Sequence, residues 1–223
     1  MKRQQMQKVV QFLLFNLANV KYENAEQIPE TGPVIIVTNH LSRLDIPVLL
    51  GNPIRPEITA LVAKKYQSRP FFRWILDTFG IIYIDRTRAD FGAFREARKV
   101  IQSGTAMGIA PEGTRSDNQQ LAEAKDGAAM LAMQLQVPIV PVGIYGTEDA
   151  LQKVFRFRHP TITARFGQRF KLPPLARENR EQQLKQATQE IMCRIAVLLP
   201  EKYRGVYADH PQLENYLSTA NPG

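Results

Sequence analysis

Short apolar runs alternate along the chain with longer amphipathic segments, a pattern that predicts strands and helices in turn. The run at 34–37 follows Gly32 and Pro33, is rich in β-branched residues and predicts a buried strand. Five further apolar runs predict strands at 57–63, 80–84, 105–110, 137–144 and 162–166. Since helical segments separate most of these runs, we predict an α/β fold with a mixed, largely parallel sheet flanked by helices.

The segments between the strands carry apolar residues at helical spacing. They predict helices at 46–50, 90–102, 121–135 and 178–199. The segment 64–77 mixes aromatic residues with cations, which suits a helix packed on the core as well as one at a lipid head-group boundary. Pro138 and Pro141 lie in the predicted fifth strand and lack backbone donors, so this strand is predicted at a sheet edge or at a bulge.

The N-terminal segment 1–22 has cationic residues, no acidic residue and a broad apolar stripe, which predicts a basic amphipathic helix. Such a helix can lie in a membrane interface or pack on the domain, and the pattern leaves both open. Its apolar stretch, 9–20, is too short to span a bilayer and is a poor signal peptide. We therefore divide the chain into an amphipathic membrane-docking helix at 1–24, a catalytic domain at 25–208 and a C-terminal tail at 209–223.

Composition and missing motifs exclude several classes of protein. The formal charge of +8 over 223 residues favours anionic partners, and the single cysteine, Cys193, is predicted to be a core thiol. The three histidines are scattered, so we predict no metal site. The Gly-x-Ser-x-Gly elbow, the Gly-Lys-Ser/Thr phosphate loop and the Gly-x-Gly-x-x-Gly loop are missing from the sequence, which argues against the common hydrolases and the nucleotide-binding folds.

A basic and aromatic segment lies between Asp149 and Glu178, where no acidic residue occurs. Its cations alternate with phenylalanines such as Phe155 and Phe157. This composition is also found in proteins that stack on single-stranded nucleic acid. An ordinary solvated strand face is the simpler interpretation, and we expect no nucleic-acid partner.

Polar clusters follow three of the predicted strands. They are the turn from Asn39 to Asp45, the pair Asp85-Arg86 and the turn at 111–116. Because the carboxyl ends of parallel strands meet at one edge of a sheet, we expect these clusters to lie close together. That edge is where open α/β sheets bind their ligands.

His40 and Asp45 are separated by four residues across a predicted strand-to-helix turn. An aspartate bonded to one imidazole nitrogen fixes the tautomer, and the other nitrogen can then take a proton from a hydroxyl. The simpler alternative for this motif alone is a helix-capping aspartate beside a histidine that ends a strand. Arg86 and Arg115 would approach the same place, and paired guanidinium groups suit a phosphate.

Four blocks of the sequence carry a family resemblance when they are taken together and in order. They are Asn39-His40-x4-Asp45, the segment 80–86 ending in Asp85-Arg86, the turn Pro111-Glu112-Gly113-Thr114-Arg115-Ser116 and the strand 137–142. This set closely resembles the blocks of the glycerolipid acyltransferases. The match is closest to the 1-acyl-sn-glycerol-3-phosphate acyltransferases of the bacterial PlsC type.

The resemblance implies transfer of a fatty acyl group from an acyl thioester to the free hydroxyl of lysophosphatidic acid, which gives phosphatidic acid. The thioester is acyl-CoA or acyl-carrier protein, acts as a co-substrate, and leaves no need for a cofactor. His40 and Asp45 would be catalytic. The residues implied to bind substrate are Arg86, Glu112, Gly113, Thr114, Arg115 and Lys125. Glu112 could instead shape its turn.

The expected partners are a membrane surface with anionic lipid, a lysophospholipid acceptor and the thioester donor, with the protein peripheral on the cytoplasmic face. Arg43 adds a cation inside the first block, which suits a bulkier or more anionic acceptor. Acylation of another lysophospholipid or a glycolipid therefore stays open. A non-catalytic basic module that binds anionic lipid or nucleic acid is the alternative from another class, but such a module has no use for a His/Asp pair.

Overall fold

In the computed structural model, which describes residues 2–87 and 90–220, seven strands form one sheet. The strands are β1 (Asn19–Glu23), β2 (Val34–Thr38), β3 (Ile58–Ala63), β4 (Ile82–Ile84), β5 (Ala106–Ile109), β6 (Ile139–Tyr145) and β7 (Thr161–Phe166). Their order is β1-β7-β6-β2-β5-β3-β4, in which β2 to β6 are mutually parallel. β7 is antiparallel to β6, and β1 is parallel to β7. The predicted mixed, largely parallel sheet is confirmed.

Helices cover both faces of this sheet. They are α1 (Arg3–Leu17), α2 (Asp45–Leu50), α3 (Pro70–Thr78), α4 (Phe91–Gln102), α5 (Gly127–Leu135), α6 (Ala150–Phe155) and α7 (Arg180–Ala196). One core contains α4, α5 and α7, and the other contains α1, α2, α3 and the start of α6. In β2, Ile35 and Val37 face the first core while Val34 and Ile36 face the second. Burial on both faces explains why β2 is a continuous apolar run.

The N-terminal helix is shorter than the sequence predicts. α1 ends at Leu17, and residues 19–23 form β1, whose first N–H, on Asn19, donates to the carbonyl of Pro160 at 2.9 Å. Strand pairing therefore replaces the last predicted turn of helix. Met6 and Leu14 of α1 are buried in the second core, so one face of the helix packs on the domain. Met1 lies outside the described residues, and the division of the chain at residues 24 and 208 stays a prediction.

The predicted helix at 121–135 is wrong in its first part, because α5 begins only at Gly127. The backbone of 121–125 is used by long-range bonds instead. The N–H of Ala122 donates to Glu112 and that of Lys125 to the carbonyl of Pro111. These bonds hold the segment extended along the 111–116 turn and override its helical propensity.

The fifth strand was predicted at a sheet edge or at a bulge, and the edge is wrong, since β6 lies between β7 and β2. The bulge agrees with the pairing to β7, whose register changes by one residue between Ile139–Phe170 and Val142–Phe166. Pro138 precedes the strand. Pro141 is tolerated inside it because regular pairing with β7 starts only at the next residue, Val142, opposite Phe166. Cys193 is buried, as predicted. Within the described part of the chain, no helix has both the length and the apolar content needed to cross a membrane.

Candidate active site

Four polar segments converge where β2, β4, β5 and β6 end. His40 follows β2, Arg86 follows β4, the 111–116 turn follows β5 and Thr147 follows β6. These four strands are parallel, so their carboxyl ends share one edge of the sheet. The predicted convergence of the three sequence clusters is thus confirmed, with a fourth segment added.

The His40 imidazole and the Asp45 carboxylate form a buried pair. Nδ1 of His40 lies 2.8 Å from Oδ2 of Asp45, and that oxygen also accepts the backbone N–H of Ser42 at 2.8 Å. The other oxygen of Asp45 accepts the hydroxyl of Thr147 at 2.6 Å. Asp45 is only 2% exposed. With Nδ1 bonded to a fixed carboxylate, Nε2 is the nitrogen left for a substrate proton.

The backbone around His40 is held from two sides. The side-chain amide of Asn39 donates to the carbonyl of Ile144 at 2.7 Å and accepts the N–H of Ile144 at 2.8 Å. The N–H of His40 donates to Glu112 at 2.9 Å, and its carbonyl accepts the N–H of Ser116 at 2.9 Å. The imidazole is therefore positioned by β6 and by the 111–116 turn together.

Glu112 is 4% exposed and uses both carboxylate oxygens to bind the backbone. One oxygen accepts the N–H of His40, and the other accepts the N–H of Ala122 at 3.0 Å. Burial raises the pKa of Glu112 to about 7, while these two bonds lower it and the charge of Asp45 raises it further. This geometry favours turn shaping over substrate contact, the two roles left open by the sequence.

Two guanidinium groups share a cavity with His40. Arg86 and Arg115 both line it, together with Thr114. Burial lowers the pKa of Arg86, and the nearby charge of Arg115 lowers it further, although Tyr66 raises it. Like charges held together in a partly buried place favour an anion between them. The two arginines therefore lie at one cavity, and their predicted role in binding a phosphate stays a prediction.

The cavity beside His40 has a volume of about 420 Å³ and runs between the sheet and the helices of the second core. Its apolar lining comes from α1, α2, α3 and α6 and includes Val10, Leu14, Ile46, Leu50, Ile75 and Val154. Arg43 lies at the same cavity. Apolar walls with one polar, charged end are suited to an amphipathic ligand.

Gly113 and Lys125 lie on a different cavity, of about 500 Å³, which Arg86 also lines. Gly113 has φ +71°, a conformation that favours glycine, and a Cβ atom there would lie 3.2 Å from Cδ of Lys125. Apart from Glu112, which lines neither cavity, the predicted substrate residues therefore fall into two groups. Arg86 is the side chain common to both.

Two residues that position the site, Thr147 and Asn39, have no role predicted from the sequence. Thr147 follows an apolar strand directly, which is the same signal that singled out the other three segments. Asn39 was part of the first block, but its pairing with Ile144 depends on β2 lying beside β6. The sequence does not give the order of the strands in the sheet, so this pairing could not be predicted from it.

Comparison with known proteins gives concordant matches. The acyltransferase family model matches residues 19–145. A probable 1-acyl-sn-glycerol-3-phosphate acyltransferase of Mycoplasma pneumoniae is 30% identical over 158 residues, 68% of this chain and 58% of that protein. The mouse 1-acyl-sn-glycerol-3-phosphate acyltransferase alpha is 33% identical over 167 residues, 71% of this chain and 55% of that protein. The chain spans about half the length of the curated relatives it matches.

A solved structure shows the same fold. The crystal structure of the 1-acyl-sn-glycerophosphate (LPA) acyltransferase PlsC from Thermotoga maritima superposes with a TM-score of 0.64 at 24% identity. The superposition covers 85% of this chain and 76% of that one. The α/β architecture described above is therefore shared with that structure.

Proposed function

This chain belongs to the acyltransferase family, and we propose that it transfers a fatty acyl group from an acyl thioester to the free hydroxyl of lysophosphatidic acid. The product is phosphatidic acid. One observation carries the proposal: His40, bonded to Asp45, lies with Arg86 and Arg115 at a single apolar cavity. A base, an anion site and an apolar channel are the three features that an amphipathic phosphate-bearing alcohol requires.

In the proposed reaction, Nε2 of His40 removes the proton of the acceptor hydroxyl as its oxygen attacks the thioester carbonyl. Asp45 stabilises the imidazolium that forms. The C–S bond then breaks, and the imidazolium returns its proton to the leaving thiolate. A base of this kind contributes roughly 10²–10⁴ in rate. A thioester is already activated, so the reaction balances without an enzyme nucleophile or a cofactor.

The phosphate of the acceptor is assigned to Arg86 and Arg115. In lysophosphatidic acid the free hydroxyl and the phosphate are on adjacent carbons of glycerol. A group that binds this phosphate must therefore lie close to the base, and both arginines line the cavity that holds His40. Planar guanidinium groups bind phosphate oxygens through paired, charge-assisted bonds. The apolar walls would hold an acyl chain.

We place the protein on a membrane surface, peripheral and on the cytoplasmic face. α1 supports this, because Phe12, Leu13 and Phe15 are exposed although the opposite face of the helix packs on the core. A formal charge of +8 would strengthen binding to anionic lipid. Acyl-CoA and acyl-carrier protein are the proposed donors.

Lipid mass spectrometry tests the proposed substrates. The purified protein is incubated with oleoyl-CoA, or with an oleoyl thioester of acyl-carrier protein, and a panel of lysophospholipids that differ only in head group. We expect phosphatidic acid to be the main product. Arg43 at the cavity favours, as a second candidate, an acceptor with a larger anionic head group. A dominant product from such a lysolipid would select that acceptor instead.

A further inference from the structure

The residues that both line the apolar cavity and are exposed show where it opens. The apolar ones are Leu13 and Leu17 of α1, Phe72 of α3 and Leu151 of α6, and the polar ones are Arg43, Lys65, Thr114 and Asp117. On its apolar side the mouth of the cavity is therefore bordered by three helices, all on the same side of the sheet. An exposed apolar border of this kind is unusual for a surface that faces water alone.

The segment 151–158, formed by most of α6 and the three residues after it, projects two aromatic rings beside this rim. Phe155 is 82% exposed and Phe157 is 99% exposed, so neither ring packs on the protein. Phe157 also has φ +55°, a conformation that non-glycine residues adopt at an energetic cost. The backbone thus holds the Phe157 side chain in solvent, where it contributes no packing to the fold.

Cations alternate with these rings. Arg156 and Arg158 flank Phe157, and Lys153 lies one turn earlier in an ion pair with Asp149 at 2.9 Å. The sequence contains no acidic residue from 150 to 177. Exposed aromatic rings interleaved with cations match the chemistry of an anionic bilayer interface, where rings insert between head groups and cations contact phosphates.

We propose that the segment 151–158 is a membrane contact that inserts Phe155 and Phe157 into an anionic bilayer. The segment is continuous with α1 around the mouth of the cavity, so both would rest on one lipid surface. The cavity would then open directly onto the bilayer, and a lysolipid could enter sideways between α1 and α6. Lateral entry rests on the proposed function, whereas the lipid contact itself does not. For residues 151–155 the solvated strand face that the sequence suggested is wrong, because these residues are helical, whereas 161–166 form β7.

A fluorescence experiment tests the contact without any assay of activity. Trp74 is the single tryptophan, so Trp74→Phe gives a background without tryptophan. Into it we place either Phe157→Trp or the matched control Phe91→Trp. Phe91 is also strongly exposed, at 77%, but it lies on α4 on the opposite face of the sheet. The probe is vesicles of phosphatidylcholine and phosphatidylglycerol with brominated acyl chains.

We expect the tryptophan at 157 to shift its emission to shorter wavelength and to be quenched by the brominated vesicles. The tryptophan at 91 should keep the emission of a water-exposed ring. If both report water while the protein sediments with the vesicles, the contact lies elsewhere and the proposal is overturned. Equal quenching of both would also overturn it, since insertion would then not be specific to this segment.

A second variant separates this proposal from the proposed function. Phe155→Ser combined with Phe157→Ser should lower vesicle binding by about tenfold or more, while turnover of a short-chain, water-soluble lysophosphatidic acid stays unchanged. Unchanged vesicle binding would contradict the contact. Absence of turnover in the unaltered protein would contradict the proposed function alone, because the fluorescence result does not depend on it.

Discussion

At the scale of single residues, Asp45 is the point on which the site's geometry depends. Its two oxygens accept three bonds, from His40, from the N–H of Ser42 and from the hydroxyl of Thr147. A buried carboxylate with all three bonds is fixed in position and keeps the imidazole in one orientation. Thr147 supports the pair from a distant part of the sequence, through its hydrogen bond to Asp45.

Replacing Thr147 tests this support. Thr147→Val keeps the shape but removes the donor to Asp45, and an unpaired buried acceptor costs about 1–3 kcal/mol. We expect kcat to fall roughly ten- to hundredfold with little change in the acceptor KM, while Thr147→Ser stays near the unaltered protein.

The two arginines make a separate prediction. Arg86→Lys and Arg115→Lys keep the charge but lose the planar fork, and one charge-assisted bond is worth about 1.5–3 kcal/mol. The kcat/KM for the acceptor should fall about tenfold to more than a hundredfold, with the donor KM little changed. Arg180→Lys, at the exposed start of α7, is the control and should have little effect. A larger effect on donor KM would assign the arginines to the donor's phosphates.

The sequence alone predicts the bond between His40 and Asp45, but it does not predict the contact of Thr147 with Asp45. The spacing of His40 and Asp45 is local, so a strand-to-helix turn was enough to predict their bond. Thr147 is 102 residues from Asp45. Its contact exists because Thr38 of β2 pairs with Val142 of β6, a register that one sequence alone does not determine.

At the scale of elements, the 111–116 turn is attached to the rest of the site through the carboxylate of Glu112. Glu112→Gln replaces one acceptor oxygen by an amide that faces a backbone N–H, which should destabilise the fold by about 1–3 kcal/mol. Urea unfolding measures this change.

The size of that change should depend on pH. The pKa of Glu112 is raised from 4.5 to about 7 in the folded protein, so between these values the folded state binds more protons than the unfolded state. The free energy of unfolding of the unaltered protein should therefore fall as pH rises through this window, by up to about 3 kcal/mol. Glutamine does not titrate, and the advantage over Glu112→Gln should be larger at pH 5 than at pH 8. An advantage independent of pH would show that the carboxyl titrates alike in both states.

Elements with strong apolar patterns were predictable, and those set by tertiary bonds were not. The runs that became β2 and β3 are apolar because nearly every residue in them is buried, so the sequence alone predicts them. β1 has no fully buried residue, so it is a strand because it pairs with β7 and not because of its apolar pattern. The late start of α5 follows from bonds to Glu112 and Pro111, which become visible only when the turn and the segment are brought together.

At the scale of the whole molecule, the sheet separates two helical layers with different tasks. α4, α5 and α7 pack on one face, and α1, α2, α3 and α6 surround the apolar cavity on the other. The carboxyl ends of the parallel strands bring the His/Asp pair and the two arginines to the charged end of that cavity. The sheet edge, where we propose the chemistry, and the helices, where we propose the lipid contact, therefore line one continuous space.

The most direct test of His40 as the base is the rate at which the purified protein forms phosphatidic acid from oleoyl-CoA and a short-chain, water-soluble lysophosphatidic acid, with and without His40. We expect product with the unaltered protein and a rate lower by roughly 10²–10⁴ in His40→Ala, while urea unfolding shows that the variant is still folded. A His40→Ala protein that turns over within a few-fold of the original would contradict the assignment of His40 as the base.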